Sequence, residues 1–314
     1  MHLQIISPVN PKELINSNVA SYRLRLSYVY NAAIELGFNV SCGLKINKNA
    51  DIIYVGKITK DMKQSLSLEI NKLKKSKAHV LIDYTDDLLS SKKDLERRKI
   101  YEDLMSLNSV VIVPIEGLGN KIKEKGKIVF VIPDGIDNFP SINPFNKNNK
   151  QVNILWNGHS SNINSLIRII TTNLLGYSYN LHLVSNSASF EIFTKIQFTV
   201  SLKCTPFAHL WSINNLQNIA KKCDFAILPT DKLWASANRL ITNFRLGLPV
   251  IAETIDSYKP FLNYYCEFKK NKIDNMFKSS TSYHNLVSLA QKKITEEFNE
   301  KKLNNLWKSV LKKK

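Results

Sequence analysis

Residues Ser236 to Tyr258 read SANRLITNFRLGLPVIAETIDSY, and their reading decides the fold. Ser236 is a capping residue type, and Ala237, Leu240, Ile241 and Phe244 recur at helical spacing, which predicts a helix. Gly247 stops it, Pro249 follows at once, and residues 250–252 predict a short buried strand. Upstream, Cys223-Asp-Phe-Ala-Ile-Leu-Pro229 predicts another buried strand, ended by its proline. Strand, loop, helix and strand together make a βαβ crossover of a parallel sheet. Arg239, Thr242 and Asn243 fall at i, i+3 and i+4, on one polar edge of the helix. Ligands of such sheets bind beyond the carboxyl ends of the strands. A cation placed there beside helix amides suits a phosphate.

The stretch resembles the donor-binding segment of group 1 (family 4-like) glycosyltransferases. The residues that carry the resemblance are Asp224, Pro229, Asn238, Arg239, Leu240 and Ile241, then Gly247, Leu248, Pro249, Val250 and Ala252. The family's spaced pair of glutamates falls on Thr242 and near Trp234, so both acids are missing.

Working outward, 314 residues exceed one average domain and predict two. The net charge of +18 points to anionic partners such as nucleotide phosphates or anionic lipid, although the richness in Lys, Asn and Ile also fits AT-rich codon usage. Cys42, Cys204, Cys223 and Cys266 are scattered without metal-ligand spacing and read as reduced, structural thiols. No run approaches the ~18 apolar residues of a membrane span, so the expectation is a soluble, cytoplasmic protein.

In the first half, strands are predicted at 3–7, 38–42, 52–55, 79–83, 110–113 and 128–132. Helices are predicted at 20–36, 58–75, 95–107 and 115–124. This alternation is the signature of a parallel α/β sheet. Ser21, Tyr22, Arg23 and Arg25 sit near a helix start after the first strand, where the resembled family places a donor- or acceptor-facing loop, so the resemblance implies that they face an acceptor or a cleft; the alternative is plain surface arginines. Asp83-Tyr-Thr-Asp86-Asp87 follows a strand, and such acids can orient a hydroxyl or act as a base. It is not a strict Asp-x-Asp, so no divalent metal is expected. Gly117-Leu-Gly119 lacks the third glycine of a dinucleotide fingerprint and reads as a loop.

Residues 131–137, VIPDGID, resemble the close of the N-terminal domain in the same family, and 139–150 read as a polar linker. Residues 154–162, ILWNGHSSN, resemble the opening of its C-terminal domain. There Gly158 would let the backbone approach a ligand, with His159 and Ser160 beside it. A helix over 163–175 and strands at 179–184 and 198–202 come next. Ser185 and Asn186 end one strand, and 204–209 form a loop after the next. Residues 211–222 predict the helix before the central crossover, and 283–314 predict two helices.

The resemblance implies two Rossmann-like parallel-sheet domains facing each other across a cleft, the GT-B arrangement. The expected domains are 1–138, a linker at 139–150, 151–282, and C-terminal helices at 283–314 that cross back to the first domain. It implies transfer of a sugar from a nucleoside-diphosphate sugar to a glycan or lipid-linked acceptor, without cofactor or metal. Donor-binding residues would be Gly158, His159, Ser160, Ser185, Pro229, Thr230, Asn238, Arg239 and Thr242. Catalytic residues would be Asp86, Asp87 and His159. Weak contact with the inner face of a membrane is expected, and nucleic acid is not. The alternative is a non-catalytic sugar-nucleotide or polysaccharide-binding relative that has lost the glutamate pair.

Overall fold

A computed structural model describes residues 1–9, 13, 17, 19–59, 62–90, 94–145, 149–199 and 203–313. The chain divides into two compact units, Met1–Asp137 with Phe298–Lys314, and Asn138–Glu297.

Unit 1 runs β1 (His2–Ile6), a π-helical turn (Tyr22–Leu26) leading into α1 (Ser27–Glu35), β2 (Asn39–Cys42) and β3 (Ile52–Val55). It continues with α2 (Lys63–Lys74), β4 (His79–Asp83), α3 (Leu95–Met105), β5 (Ser109–Val113), α4 (Glu116–Lys123) and β6 (Ile128–Val131). The six strands form a parallel sheet in the order β2-β1-β3-β4-β5-β6. Strands β3 and β5 are buried at every position, as expected where helices cover both faces. Gly117 and Gly119 lie inside α4 rather than in a loop. A Cβ on Gly119 would stand 3.2 Å from Val113 Cγ2, so the glycine allows the helix to lie close on the sheet.

Unit 2 runs β7 (Asn153–Asn157), α5 (Ile163–Thr172), β8 (Tyr179–Ser185), α6 (Ser187–Thr199), β9 (Cys204–Leu210) and α7 (Ile213–Ala220). Then come β10 (Phe225–Leu228), α8 (Asn238–Arg245), β11 (Val250–Ala252), β12 (Cys266–Glu267), α9 (Lys270–Lys278) and α10 (His284–Glu297). The sheet order is β12-β11-β10-β7-β8-β9, again all parallel. The chain enters at β7, builds outward to β9, then returns to place β10 on the other side of β7. The junction of β7 and β10 is therefore the topological switch point, where open α/β sheets form a crevice at the strands' carboxyl ends.

Three segments differ from the sequence reading. The strand expected at 198–202 begins inside α6, which runs to Thr199, and residues 200–202 lie outside the described residues. The strand is Cys204–Leu210, where the sequence pattern predicts a loop. The stretch read as a linker is fixed at its start. Phe139 is buried, Ile142 N donates to Arg245 O at 2.7 Å, and Gln291 Nε2 donates to Ile142 O at 2.8 Å. Arg245 lies 4.5 Å above the Phe139 ring and donates to its carbonyl. Residues 146–148 lie outside the described residues.

The two C-terminal helices, read as one segment, part company: α10 belongs to unit 2, and α11 (Glu300–Leu311) belongs to unit 1. Leu303, Trp307, Val310 and Leu311 of α11 are buried in the same core as Leu3, Val29 and Tyr54. No helix among the described residues is long and apolar enough to cross a membrane.

Candidate functional site

The switch point of unit 2 gathers most of the residues singled out in the sequence. After β7, Gly158 packs against Trp156, whose ring would stand 2.7 Å from a Cβ there. His159 is exposed, and its Nδ1 accepts from Ser161 N at 3.2 Å. Ser160 N donates to Asn186 Oδ1 at 2.9 Å. These two amides are therefore used within the loop. Ser185 is fully buried, donates to Gly158 O and shares a 2.6 Å hydrogen bond with Ser189. Its place is that of a brace under the Gly158 loop.

On the β10 side, Pro229 and Thr230 are buried. Thr230 N donates to Glu253 Oε2 at 2.5 Å, and Arg168 bridges Glu253 Oε1 (2.6 Å) and Asp231 Oδ1 (3.1 Å). Ser165 donates to Asp231 Oδ2 at 2.7 Å. This network ties the loop after β10 to α5 and to the end of β11. Asn238 opens α8, its amide donating to Ser236 Oγ at 3.2 Å, and Thr242 is half-buried one turn later.

Arg239 stands at the first turn of α8, and its guanidinium donates to the Asn157 carbonyl at 3.5 Å. Among the described residues it has no carboxylate partner. Burial pushes the Tyr258 phenol up against the opposing influence of the Arg239 cation beside it.

Unit 1 treats its two candidate arginines differently. Arg25 is 1% exposed. Its Nε donates to both oxygens of Asp83 (2.9 and 2.7 Å), and its Nη1 to Ile132 O and Asp134 Oδ1, each at 2.9 Å. Tyr54 also donates to Asp83, at 2.7 Å. Burial opposes the charge on Arg25, but Asp83 and Asp134 outweigh it and hold the proton more tightly than usual. Arg23 is 7% exposed, donating to Asp137 at 2.7 Å and to Ser17 O at 2.8 Å. The acceptor-facing reading of these arginines gives way to a structural one. They knot the π-helical turn to the VIPDGID stretch, where Gly135 N also donates to Leu24 O at 2.7 Å. Tyr22 is buried with them, and Ser21 is half-buried.

Asp86 and Asp87 lie in unit 1 and His159 in unit 2. Both acids are ion-paired, Asp86 with Lys57 at 2.6 Å and Asp87 with Lys121 at 2.5 Å. Asp87 and Lys121 line a pocket of about 370 Å³ with Leu89, Ser90, Ile122, Glu124 and Lys125. No group of three or more His, Cys, Asp and Glu side chains that could hold a metal ion occurs among the described residues.

Sequence reasoning gave no role to Asn157, Arg168 or Glu253. Asn243 is visible as the i+4 neighbour of Arg239, but nothing in the sequence marks its partner on β7, 86 residues away.

No family model matches the chain, and no curated protein is similar to it. Solved structures are. Sucrose-phosphate synthase from Thermosynechococcus elongatus superposes with a TM-score of 0.68 at 11% identity, covering 99% of this chain and 98% of that one. The fold is the GT-B fold. Anabaena HepE in complex with UDP-glucose gives a TM-score of 0.63 at 13% identity, covering 99% of both chains. TarM is longer: 91% of this chain covers 57% of it, with a TM-score of 0.58 at 13% identity. Within this fold, Arg239 and Asn157 lie at the switch point of the second Rossmann-like unit, while Arg23 and Arg25 belong to the framework of the first.

Proposed function

We propose that the chain transfers a sugar from a nucleoside-diphosphate sugar to a glycan or lipid-linked acceptor, with unit 2 holding the donor. The observation that carries this is Arg239, a cation without an ion-pair partner among the described residues, at the first turn of the helix that follows the switch-point strand. In the reaction the bond from the anomeric carbon to the diphosphate oxygen breaks. A new bond forms to an acceptor oxygen, and the acceptor's proton passes to a base. Arg239 meets the charge that grows on the leaving diphosphate, so its contact strengthens toward the transition state. Asp86 and Asp87 are the candidate bases, with the pocket beside Asp87 as the acceptor's place. The proposed reaction is metal-independent, and the surroundings are the cytoplasmic face of a membrane, met weakly through surface lysines.

A second reading, a sugar-nucleotide-binding protein without turnover, is favoured by Trp234 and Thr242 standing where acids are expected and by the lysines paired to Asp86 and Asp87. Release of UDP or GDP from a panel of UDP- and GDP-sugars supports the enzyme; binding without release supports the second reading.

Substituting Arg239→Ala tests the donor site itself. A charge-assisted hydrogen bond contributes roughly 1.5–3 kcal/mol, so nucleoside-diphosphate affinity should fall by about 10- to 150-fold. The melting temperature should hardly change, because no described ion pair is broken. Unchanged affinity in a folded variant removes the donor-site assignment.

A further inference from the structure

Arg239 is held from below. Asn243, one helical turn along α8, is fully buried. Its Nδ2 donates to the backbone carbonyl of Arg239 at 2.8 Å and to Asn157 Oδ1 at 2.9 Å. Asn157, the last residue of β7, is 4% exposed, and its carbonyl receives Arg239 Nη1 at 3.5 Å. The three residues close a ring. The guanidinium rests on the Asn157 backbone, the Asn157 side chain receives the Asn243 amide, and the same amide grips the Arg239 backbone. Both acceptors on Nδ2 fix the orientation of the Asn243 amide and leave its Oδ1 buried without a partner among the described residues. A buried amide with an unsatisfied oxygen costs stability. A leucine of similar size would avoid that cost, so packing alone does not explain the asparagine.

We propose that Asn243 is a positioning residue for donor binding, which sets Arg239 against the donor diphosphate by locking α8 to the end of β7 through Asn157. This rests on the donor-site reading of Arg239. The chemistry is general: a long, rotamer-rich cation loses less freedom on binding an anion when its backbone and one face are already fixed. A ring across the switch point also ties the crevice's two walls, the ends of β7 and α8, into one piece.

The test is a double-mutant cycle on the full chain, with UDP and GDP as probes and melting temperature recorded for every variant. The variants are Arg239→Ala, Asn243→Leu and the two combined. Residues that act through one another show non-additive effects. Asn243→Leu should weaken binding of the nucleotide by about fivefold or more in the parent chain, and by less than about twofold when Arg239 is already alanine. Equal weakening in both backgrounds, or none in the parent, overturns the proposal. A shift in melting temperature does not bear on it, because the readout is the coupling. If Asn243→Leu does not fold, Asn157→Ala enters the same cycle from the strand side under the same criterion. If Arg239→Ala alone leaves affinity intact, the donor-site reading fails first, and that result is distinct from additivity. A parent chain that binds neither UDP nor GDP overturns both.

Discussion

At the scale of single residues, Arg25 and Arg239 are a matched pair. Both are arginines at a helix start beyond a strand's carboxyl end, and the sequence makes them look alike. What separates them is partners 58 and 109 residues away: Asp83 and Asp134 close on Arg25, and no described carboxylate closes on Arg239. Sequence reasoning sees the residue type and its local position, but not which distant acid folds onto it. The VIPDGID stretch, in contrast, is legible because its glycine has a steric cause. A Cβ on Gly135 would overlap the Tyr28 ring, whose hydroxyl is already hydrogen-bonded to Ile136. Gly135→Ala should therefore destabilise unit 1 by about 1–3 kcal/mol, the usual cost of overpacking. Chemical denaturation monitored by the unit's tryptophan, Trp307, reads it, and a neutral result would mean that the ring can move. A second residue sets a pH dependence in unit 2. His182 stacks on Phe207 at 5.0 Å, with its ring nitrogens 3.2 Å from His209 Nε2 and from Asn153 Oδ1. Burial, then His209 and Lys222, push its imidazole down to about 4. An unfolded histidine titrates near 6.5, so the unfolded chain takes up the proton first as pH falls. Stability from this group is fully present above about pH 6.5 and is lost between 6.5 and 4, by up to about 3 kcal/mol. Between pH 6.5 and 4 the parent should lose stability relative to His182→Leu, read from melting curves of both across that window; parallel curves would exclude His182 as the source.

At the scale of elements, periodicity serves well wherever a helix or strand has one consistent partner. It fails at β9. Residues 204–210 carry Pro206, and proline within a run argues against a strand. The fold resolves this through the edge. Tyr179 N donates to Lys203 O and Trp211 N donates to Ser185 O, so odd-numbered positions of β9 turn their backbone toward β8 and even-numbered ones turn it outward. The donor that Pro206 lacks is one that β8 never uses, and it blunts an edge where Phe207, Ala208 and Leu210 are exposed. Helix α11 joins the core of unit 1 from the far end of the chain. Trp307 stands edge-on to Tyr54 with centroids 5.8 Å apart, lies 5.2 Å from the Arg25 guanidinium, and is 1% exposed. Asn304 donates to Glu35 at 2.6 Å, fixing the helix along α1. Removing a buried Trp side chain costs about 3–5 kcal/mol, and marginal domains have only about 5–15 to lose. A chain ending at Glu297 should therefore leave unit 1 molten, with unit 2 still folded. Amide exchange localises the loss: retained protection in β3 and β5 would show that α11 is dispensable.

At the scale of the whole molecule, the doubled α/β architecture is readable because each half repeats strand and helix under its own hydrophobic pattern. The way the chain is threaded is not. Polar composition makes 139–150 look like a free linker, yet Phe139 and Ile142 are fixed to unit 2 by Arg245 and Gln291, contacts that reach over 100 residues. Gly247 belongs to the same clamp: its φ of +76° is one that side chains resist, and a Cβ there would stand 2.6 Å from Ile142 O. Limited proteolysis should spare 139–142 and cut between 143 and 151, where Asn143, Phe145 and Lys150 are exposed. The fate of the two fragments after the cut is more telling than the cut itself. Unit 1 is made from both ends of the chain, so the fragment carrying unit 2 also carries α11, which is buried in the core of unit 1. A denaturing gel should show two fragments of similar size, while size-exclusion under native conditions should show one species at the uncut mass. Adding Trp307→Ala should weaken that hold and let the fragments separate. Fragments that part without the substitution would mean that α11 contributes little to unit 1, and the assignment of the C-terminal helix to that unit would fall.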